Sequence, residues 1–234
     1  MSEKILEEMN RDQIRANFLK YTRKAFQALP SIKNPIILDI GCGSGVPTME
    51  LAKLTNGTII ALDNDQLALD KLHEKIKEKR LNERIKTVKC SLHEMNFQDE
   101  SFDVIWAEGV GSFIRFENSL KEWRRLLKIN GFLVLHEDIK TLPTSNKLIA
   151  KYQYRLIDHF ALPEDAWLID YYKPLEGRVN ELRVKYMNKP QALKILQQQQ
   201  QEIDEVKNNP LKARSVFYVL QKMENRAITE KSLT

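Results

Sequence analysis

Two periodicities of apolar residues alternate along this chain of 234 residues. Short apolar runs, such as residues 35–38 and 58–62, have the length and composition of buried strands. Between these runs, apolar residues recur every three or four positions, as Leu69, Leu72 and Ile76 do, which is typical of a helix with one buried face. Strands that alternate with helices predict an α/β fold with a mainly parallel, doubly wound sheet.

The rest of the chain continues this alternation and then departs from it. Strands are predicted over residues 84–90, 102–107, 132–136, 154–160 and 213–221, and helices over residues 3–29, 66–80, 116–128 and 144–152. Because only eleven residues separate the third strand from the fourth, we expect a short or degenerate crossover helix there. Residues 163–209 are predicted to form a long polar helical stretch.

The last two predicted strands flank this helical stretch. If they pair antiparallel, residues 163–209 are a helical insertion close to the carboxyl edge of the sheet, where ligands bind in such folds. We therefore expect residues 31–162 and 210–224 to form the core, and residues 1–30 to form an N-terminal helical lid.

A glycine-rich loop follows the first predicted strand, in the segment Asp39-Ile40-Gly41-Cys42-Gly43-Ser44-Gly45. Glycines let the chain turn sharply and let its backbone approach a ligand closely. Asp63 ends the second predicted strand 18 residues after Gly45, where its carboxylate can accept both hydroxyls of a ribose. The arrangement predicts a site for a nucleotide-type cofactor.

Two classes of cofactor use this geometry. The dinucleotide fingerprint G-x-G-x-x-G requires a third glycine, but Val46 stands at that position, which argues against a nicotinamide-dependent oxidoreductase without excluding it. The alternating glycines after Asp39 have the form D-x-G-x-G-x-G. This form resembles the first motif of the class I S-adenosylmethionine-dependent methyltransferases.

Later segments extend the resemblance to roughly residues 20–160. Residues 102–109, 120–128 and 131–134 are similar to the fourth strand, the following helix and the fifth strand of that superfamily, in particular its ubiquinone/menaquinone-biosynthesis and small-molecule branch. The resemblance implies a Rossmann-like methyltransferase fold, with seven strands of which the last is antiparallel, an N-terminal helix and a helical insertion between strands 6 and 7. It also implies transfer of a methyl group from S-adenosylmethionine to a small-molecule acceptor, which yields S-adenosylhomocysteine.

The resemblance also implies roles for individual residues. The expected cofactor-binding residues are Asp39, Gly41, Cys42, Gly43, Gly45, Asp63, Asn64, Ser91, Leu92 and Glu108. The glycines and Asp39 would hold the methionine end, and Asp63 would hold the ribose. Ser91 stands where the superfamily often has an aspartate that contacts the adenine, so one hydrogen bond from the adenine is still expected there.

The acceptor side of the site is less clearly marked. Methyl transfer from a sulfonium depends mainly on alignment and on exclusion of water, so a catalytic base is optional. His136, Glu137, His159 and Glu108 lie near strand ends, and the sequence does not choose a base among them. A weak pattern of aromatic residues, Tyr21, Trp167, Tyr171 and Tyr172, predicts the walls of the substrate pocket.

The charge distribution of the chain bears on which kinds of partner it binds. The net charge is +5, but basic residues are scattered among acidic ones without an RNA-recognition signature, so nucleic acid is not the expected partner. A methyltransferase acting on RNA or protein, and a non-catalytic cofactor-binding module, stay open as alternatives.

The same composition bears on the environment of the protein. No apolar run approaches the roughly 20 residues of a membrane-spanning helix, and the start of the chain lacks a signal-peptide core. Two cysteines, Cys42 and Cys90, suit a reducing compartment, and no metal site is predicted. We expect a cytoplasmic monomer or homodimer.

Overall fold

The computed structural model describes residues 2–224, in which the expected alternation of strands and helices is confirmed. The strands are β1 (Ile36–Ile40), β2 (Thr58–Asp63), β3 (Ile85–Lys89), β4 (Phe102–Glu108), β5 (Leu127–Asp138), β6 (Tyr154–Ala161) and β7 (Ser215–Lys222). They form one sheet in the order β3-β2-β1-β4-β5-β7-β6. Pairs among the first five strands are parallel, whereas β7 pairs antiparallel with both β5 and β6. The predicted fold class is therefore confirmed.

Helices lie on both faces of this sheet and at its carboxyl edge. They are α1 (Ser2–Glu8), α2 (Arg11–Arg15), α3 (Leu19–Gln27), α4 (Val46–Leu54), α5 (Gln66–Glu78), α6 (Phe116–Trp123), α7 (Leu142–Lys151), α8 (Lys173–Lys185) and α9 (Pro190–Asn208). Asp65 begins α5 as its N-cap, because its carboxylate accepts hydrogen bonds from the backbone N–H groups of Leu67 and Ala68. Between β3 and β4 the described chain has no helix, so the expected crossover helix is degenerate.

The central strand β1 has an almost uniformly apolar sequence because both of its faces are covered. Ile37, Leu38 and Ile40 are fully buried, as expected for a parallel strand covered on both faces. The chain runs from β1 to β2 on one side, and β4 lies on the other side. The strand order therefore reverses between β1 and β4, and a ligand crevice is expected outside their carboxyl ends.

The N-terminal segment differs from the single helical stretch predicted over residues 3–29. Asn10 adopts a left-handed conformation with φ of 52°, which ends α1 and starts α2 in a new direction. A short 3-10 turn, Ala16–Phe18, separates α2 from α3. The break lets α1 pack against α8 and α9, while Phe18 and Ala25 pack against the sheet.

The helix predicted over residues 116–128 ends five residues early. After α6, a 3-10 turn covers Arg124–Leu126, and β5 already begins at Leu127, which pairs with Phe102. The register then shifts, and Asn130 takes a φ of 62° at an irregularity within the strand. The apolar residues at this point fit a helix and a strand equally well, so periodicity alone did not place the boundary.

The segment between β6 and β7 packs around its own apolar cluster. A π-helical turn, Leu168–Tyr172, leads into α8, and α8 then packs along α9 and α1. Within the glutamine run of α9, Gln199 accepts a hydrogen bond from Arg11, and Gln200 donates one to Glu176 Oε1 at 3.0 Å. Part of the run therefore makes specific contacts. Among residues 2–224, no helix has both the length and the apolar character needed to cross a membrane.

Candidate active site

The glycine loop between β1 and α4 has a backbone that only glycines adopt without strain. Gly41, Gly43 and Gly45 have φ values of 69°, 54° and 82°. A Cβ at Gly41 would lie 2.3 Å from Val110 Cγ1, and one at Gly45 would lie 2.2 Å from Leu72 Cδ1. A Cβ at Gly43 would instead meet no described atom within 4 Å. The loop is thus packed from behind at its two ends and open to a ligand at its centre.

Asp63 fixes this loop from the end of β2. Its Oδ2 accepts a hydrogen bond from the Gly43 N–H at 2.8 Å, and its Oδ1 accepts one from the Asp65 N–H at 2.9 Å. Each carboxylate oxygen keeps a free lone pair, because an ionised carboxylate offers about four acceptor positions. The carboxylate can therefore hold the loop and accept hydroxyl groups of a ligand at the same time.

A cavity of about 480 Å³ opens in front of the loop and Asp63; we call it the donor cavity. Its lining residues are Gly41, Gly43, Leu62, Asp63, Asn64, Asp65, Ala68, Cys90, Ser91, Leu92, His93, Gly109, Val110 and Phe113. Six of the ten residues expected to bind the cofactor are among them. Sequence reasoning missed the turn after β4, from Gly109 to Phe113, although its two glycines signalled close backbone approach.

Three of the other expected residues, Asp39, Cys42 and Gly45, lie behind this cavity. The Asp39 Oδ2 accepts a hydrogen bond from Thr48 Oγ1 at 2.5 Å. Burial, reinforced by the charges of Glu108 and Asp63, raises the pKa of Asp39 to about 7 despite that hydrogen bond. Burial also raises the pKa of the Cys42 thiol well above its usual range, so this thiol is not a nucleophile at neutral pH.

Glu108, the tenth expected residue, contacts the N-terminal segment. Its carboxylate accepts hydrogen bonds from Arg15 Nη2 at 2.8 Å, Thr22 Oγ1 at 2.8 Å and Trp106 Nε1 at 2.9 Å. Its side chain is only 2% exposed. Glu108 lies outside the lining of the donor cavity, and its hydrogen bonds fasten α2 and α3 to the end of β4.

A second contact ties the N-terminal segment to the glycine loop itself. The Asp12 carboxylate lies 2.6 Å from Ser44 Oγ and 2.6 Å from Lys75 Nζ. Lys75 Nζ also donates to the Ser44 carbonyl oxygen at 2.8 Å. Asp12 on α2 thus bridges the loop and α5, and we call this group of three side chains the loop clamp.

A second cavity, of about 390 Å³, has Gly109 in its lining, as the first cavity does. We call it the acceptor cavity. Its lining residues are Gly109, Gly111, Ser112, His136, Glu137, Asp138, Trp167, Tyr172, Val206, Lys212, Ala213, Arg214 and Ser215. Two of the four predicted pocket aromatics, Trp167 and Tyr172, therefore reach it.

The other two predicted aromatics pack outside this cavity. Tyr21 donates a hydrogen bond to Asp170 Oδ2 at 3.3 Å. Tyr171 packs edge-on against Phe18 and accepts a hydrogen bond from Arg11 Nη1 at 3.3 Å. Both residues join the N-terminal segment to the π-helical turn.

A hydrogen-bonded chain crosses the floor of the acceptor cavity. Trp167 Nε1 donates to Ser215 Oγ at 2.9 Å, and Ser215 Oγ lies 2.8 Å from His136 Nε2. The His136 ring stacks on Phe217 with a centroid separation of 4.4 Å. Burial lowers the pKa of His136 to about 3, with a further lowering by Arg15, so the ring is neutral.

Glu137 lies beside His136 at the end of β5 and is 4% exposed. Burial, followed by the charge of Asp138, raises the pKa of Glu137 to about 7. Its carboxylate approaches the turn after β4 so closely that a Cβ at Gly111 would lie 2.7 Å from Glu137 Oε2. A carboxyl group that is half ionised near neutral pH therefore lines the acceptor cavity.

One segment of the chain is similar to a known protein family. Residues 38–135 match the model of a family described as a methyltransferase domain. The matched segment runs from β1 into β5, so it contains the glycine loop, Asp63 and the whole wall of the donor cavity. The fold around it is that of the class I S-adenosylmethionine-dependent methyltransferases.

A curated relative is similar to part of the chain. A sterol 24-C-methyltransferase from Clavispora lusitaniae is 30% identical over 110 residues, which are 47% of this chain and 29% of that protein. The chain thus spans less than a third of the length of that curated relative.

Solved structures share the fold over most of the chain. A S-adenosylmethionine-dependent methyltransferase from Geobacter sulfurreducens, in complex with S-adenosylhomocysteine, has a TM-score of 0.71 at 14% identity and covers 86% of this chain and 90% of its own. The [4+2]-cyclase SpnF has a TM-score of 0.72 at 13% identity and covers 88% and 82%. Since a cyclase shares the architecture, the activity has to be argued from the site.

The matched segment ends just before most of the residues that line the acceptor cavity. His136, Glu137, Trp167, Tyr172 and Ser215 all lie beyond residue 135. The segment therefore contains the whole lining of the donor cavity, while most of the lining of the acceptor cavity comes from other parts of the chain.

Proposed function

We propose that this chain is a methyltransferase that transfers a methyl group from S-adenosylmethionine to a small-molecule acceptor and releases S-adenosylhomocysteine. The observation that carries the proposal is that Gly109 lines two cavities, one of which is also lined by the glycine loop and the other by Trp167 and Tyr172. A methyl group can pass between two bound molecules only if their sites lie next to each other.

The chemistry of the donor cavity fits S-adenosylmethionine. Open space in front of Gly43 admits the ligand against the bare backbone, and Asp63 offers acceptors for two ribose hydroxyls. Asn64, Ser91 and Leu92 lie further along the same wall and would face the adenine. Bound there, S-adenosylmethionine would supply an electrophilic methyl group on a sulfonium.

The protein's own contribution is positioning and exclusion of water. Transfer of a methyl group from a sulfonium neutralises charge, so a site gains rate mainly by aligning the acceptor, which can supply several kcal/mol. Trp167 and Tyr172 provide flat apolar walls for that purpose on the acceptor side. The N-terminal segment, residues 1–30, would act as a lid through Arg15 and the loop clamp, and residues 163–209 would form the opposite wall as a helical insertion.

The size of the acceptor cavity supports a small molecule over a macromolecule. A volume of about 390 Å³ lies within the range of small-ligand sites, roughly 300 to 1,000 Å³. Similarity to a sterol methyltransferase supports the same substrate class. We further propose that the protein acts in the cytoplasm as a monomer or homodimer, without a nucleic-acid partner.

The test is a calorimetric titration of the folded protein with S-adenosylmethionine and S-adenosylhomocysteine, followed by transfer of a radiolabelled methyl group to a library of small molecules. We expect saturable binding of both cofactor forms and label in at least one acceptor. Saturable binding of NAD with no binding of either sulfur compound would reverse the proposal. If the label appears only in RNA or protein, the acceptor is a macromolecule and the proposed small-molecule substrate is wrong.

A further inference from the structure

Two residues that line the acceptor cavity each carry a buried polar atom without a hydrogen-bond partner. The atoms are His136 Nδ1 and Glu137 Oε1, and neither is bonded to any group within residues 2–224. Both residues are 4% exposed, and both line the cavity. Since buried polar atoms in folded proteins are nearly always hydrogen-bonded, these two positions point to a polar ligand.

The hydrogen bonds made by the other ring nitrogen of His136 determine whether its Nδ1 is a donor or an acceptor. The indole N–H of Trp167 can only donate, so Ser215 Oγ accepts from it. The Ser215 hydroxyl proton then needs an acceptor, and His136 Nε2 lies 2.8 Å away. With Nε2 accepting, the ring proton is on Nδ1. His136 therefore offers the ligand an N–H donor, and the burial that keeps the ring neutral makes this donor independent of pH above about 3.

Glu137 offers the complementary group. Its Oε1 is an unused acceptor, and burial raises the pKa of this carboxyl group, so its ionised form accepts a proton more readily than an exposed carboxylate does. The titratable and charged groups that share the cavity are His136 and Asp138 on the same strand, Tyr172 on the π-helical turn, and Lys212 and Arg214 before β7. Arg214 is paired with Glu164, and burial raises the pKa of Tyr172 to about 12, so neither takes the role of base near neutral pH.

We infer that the acceptor is a hydroxyl compound, a phenol, enol or alcohol, which donates its hydroxyl proton to Glu137 while an oxygen of the same molecule accepts a hydrogen bond from His136 Nδ1. This inference rests on the methyltransferase function proposed above. A protonated amine has no lone pair and would leave the His136 donor unpaired, and a hydrocarbon would leave both atoms unpaired. A hydroxyl compound satisfies both, since a hydroxyl group donates and accepts.

The balanced step uses no further reagent. The O–H bond breaks, its proton moves to the Glu137 carboxylate, and an oxygen electron pair forms the new bond to the methyl carbon. The bond from that carbon to sulfur breaks, and its electron pair stays on sulfur, which becomes the neutral thioether of S-adenosylhomocysteine. Glu137 then returns the proton to solvent.

The test measures binding and does not depend on turnover. The protein is first titrated with S-adenosylhomocysteine, and the complex is then titrated with phenol and with benzylamine by ligand-observed NMR at pH 5.5 to 8.5. We expect phenol to bind more tightly than benzylamine, and its affinity to rise about tenfold as Glu137 ionises through pH 7. Tighter binding of benzylamine throughout that range would overturn the inference.

Variants assign the effect to the two residues. Glu137→Gln should abolish the pH dependence of phenol binding, while Glu122→Gln, an exposed glutamate on α6, should leave it unchanged. His136→Phe keeps a flat ring against Phe217 but removes the donor, so it should weaken phenol and leave benzylamine unchanged. A pH dependence that survives Glu137→Gln would assign the proton to another group. If Glu137→Gln does not fold, the relative affinities of the natural protein for phenol and benzylamine still test the inference.

The experiment distinguishes failure of the methyltransferase function from failure of the hydroxyl-acceptor inference. Absence of S-adenosylhomocysteine binding in the first titration contradicts the methyltransferase function. Binding of S-adenosylhomocysteine together with a preference for benzylamine keeps the methyltransferase function and overturns only the assignment of a hydroxyl acceptor.

Discussion

Arg15 Nη2 lies 2.8 Å from Glu108 Oε2, and this ion pair joins the N-terminal segment to the strand that carries the turn shared by both cavities. The arginine side chain is 20% exposed and the glutamate side chain 2% exposed, so the pair is largely shielded from water. Removal of one partner from a buried pair leaves an uncompensated charge.

Arg15→Ala should therefore destabilise the fold strongly, by about 3 kcal/mol, because Glu108 would keep only the neutral donors of Thr22 and Trp106. Urea unfolding followed by circular dichroism measures the loss. Lys53→Ala is the control, since Lys53 pairs with Glu50 while its side chain is 68% exposed, and it should change the free energy of unfolding by less than about 1 kcal/mol. Equal effects of the two variants would contradict the assigned difference.

The loop clamp should control mobility more than stability. Asp12 and Lys75 are 41% and 32% exposed at their side chains, and exposed ion pairs contribute only about 0 to 1 kcal/mol. Asp12→Asn should leave the melting temperature nearly unchanged but speed amide hydrogen exchange in the glycine loop. Lys79→Ala, at the residue that follows the helix of Lys75, should leave that exchange unchanged. Unaltered exchange in Asp12→Asn would show that the clamp does not hold the loop.

Asp63→Asn should weaken binding of S-adenosylmethionine by about 1.5 to 3 kcal/mol, the scale of a charge-assisted hydrogen bond. An asparagine has one acceptor oxygen, so it cannot hold the Gly43 N–H and Asp65 N–H and also accept two hydroxyls. Isothermal titration calorimetry gives the affinity, with Asp70→Asn, an exposed change on α5, as the matched control. The role assigned to Asp63 fails if both variants bind equally well.

Stability should fall as pH rises through neutrality. The pKa of Asp39 is raised to about 7 from 3.8, so the folded state holds this proton more tightly than the unfolded state. Its stabilising effect is complete below about pH 4 and is lost as pH rises through 7, with a slope of at most about 1.4 kcal/mol per pH unit. Asp39→Asn should flatten that slope.

Chemical denaturation at pH 6.5 to 8 is the suitable measurement, because His136 contributes no pH dependence there and comparison with Asp39→Asn separates Asp39 from Glu137. Glu137 contributes in the same direction as Asp39, since burial raises its pKa to about 7 as well. His136 acts in the opposite direction, because its lowered pKa destabilises the fold only as pH drops below 6.5. Glu122→Gln serves as control, and a slope unchanged in Asp39→Asn would contradict the raised pKa.

Substitutions of two glycines in the loop should have different effects on the stability of the fold and on cofactor affinity. Gly45→Ala forces a Cβ against Leu72 at a positive φ and should destabilise the protein by more than about 2 kcal/mol. Gly43→Ala meets no described atom, so it should lose only about 1 to 2 kcal/mol of stability while its methyl group obstructs the cofactor. Thermal unfolding and calorimetry together test both statements.

Gly177→Ala provides a control for the glycine series. Gly177 lies inside α8 with open space around it, and alanine favours a helix by about 1 kcal/mol, so this variant should be slightly more stable. Cofactor affinity in Gly177→Ala should match that of the natural protein. Normal cofactor affinity in Gly43→Ala would remove this glycine from the site.

The donor half of the site was predictable from sequence because its parts are local. The glycine loop and Asp63 belong to one β-α-β unit, whose geometry follows from a strand, a turn and a helix. The acceptor half was predictable only in part: Trp167 and Tyr172 were expected there, but the hydrogen bond from Trp167 to Ser215 joins residues 48 apart in sequence. The contact of Arg15 with Glu108, 93 residues away, was not predicted either. Such contacts depend on how the N-terminal segment and the insertion pack, which local patterns do not encode.

Two adjacent tyrosines also show that local sequence patterns did not predict which side chains reach the acceptor cavity. Tyr171 and Tyr172 are adjacent, yet Tyr172 lines the acceptor cavity while Tyr171 packs against Phe18. The π-helical turn that holds them rotates successive side chains by an amount that ordinary helical spacing does not give.

Gly109 has a φ of 81°, and a Cβ placed on it would meet no described atom within 4 Å. Because Gly109 lines both cavities, such a side chain would take space from one or both of them. Under the function proposed above, the bare backbone keeps the wall between donor and acceptor thin, and a larger residue at position 109 would add bulk between the two bound molecules.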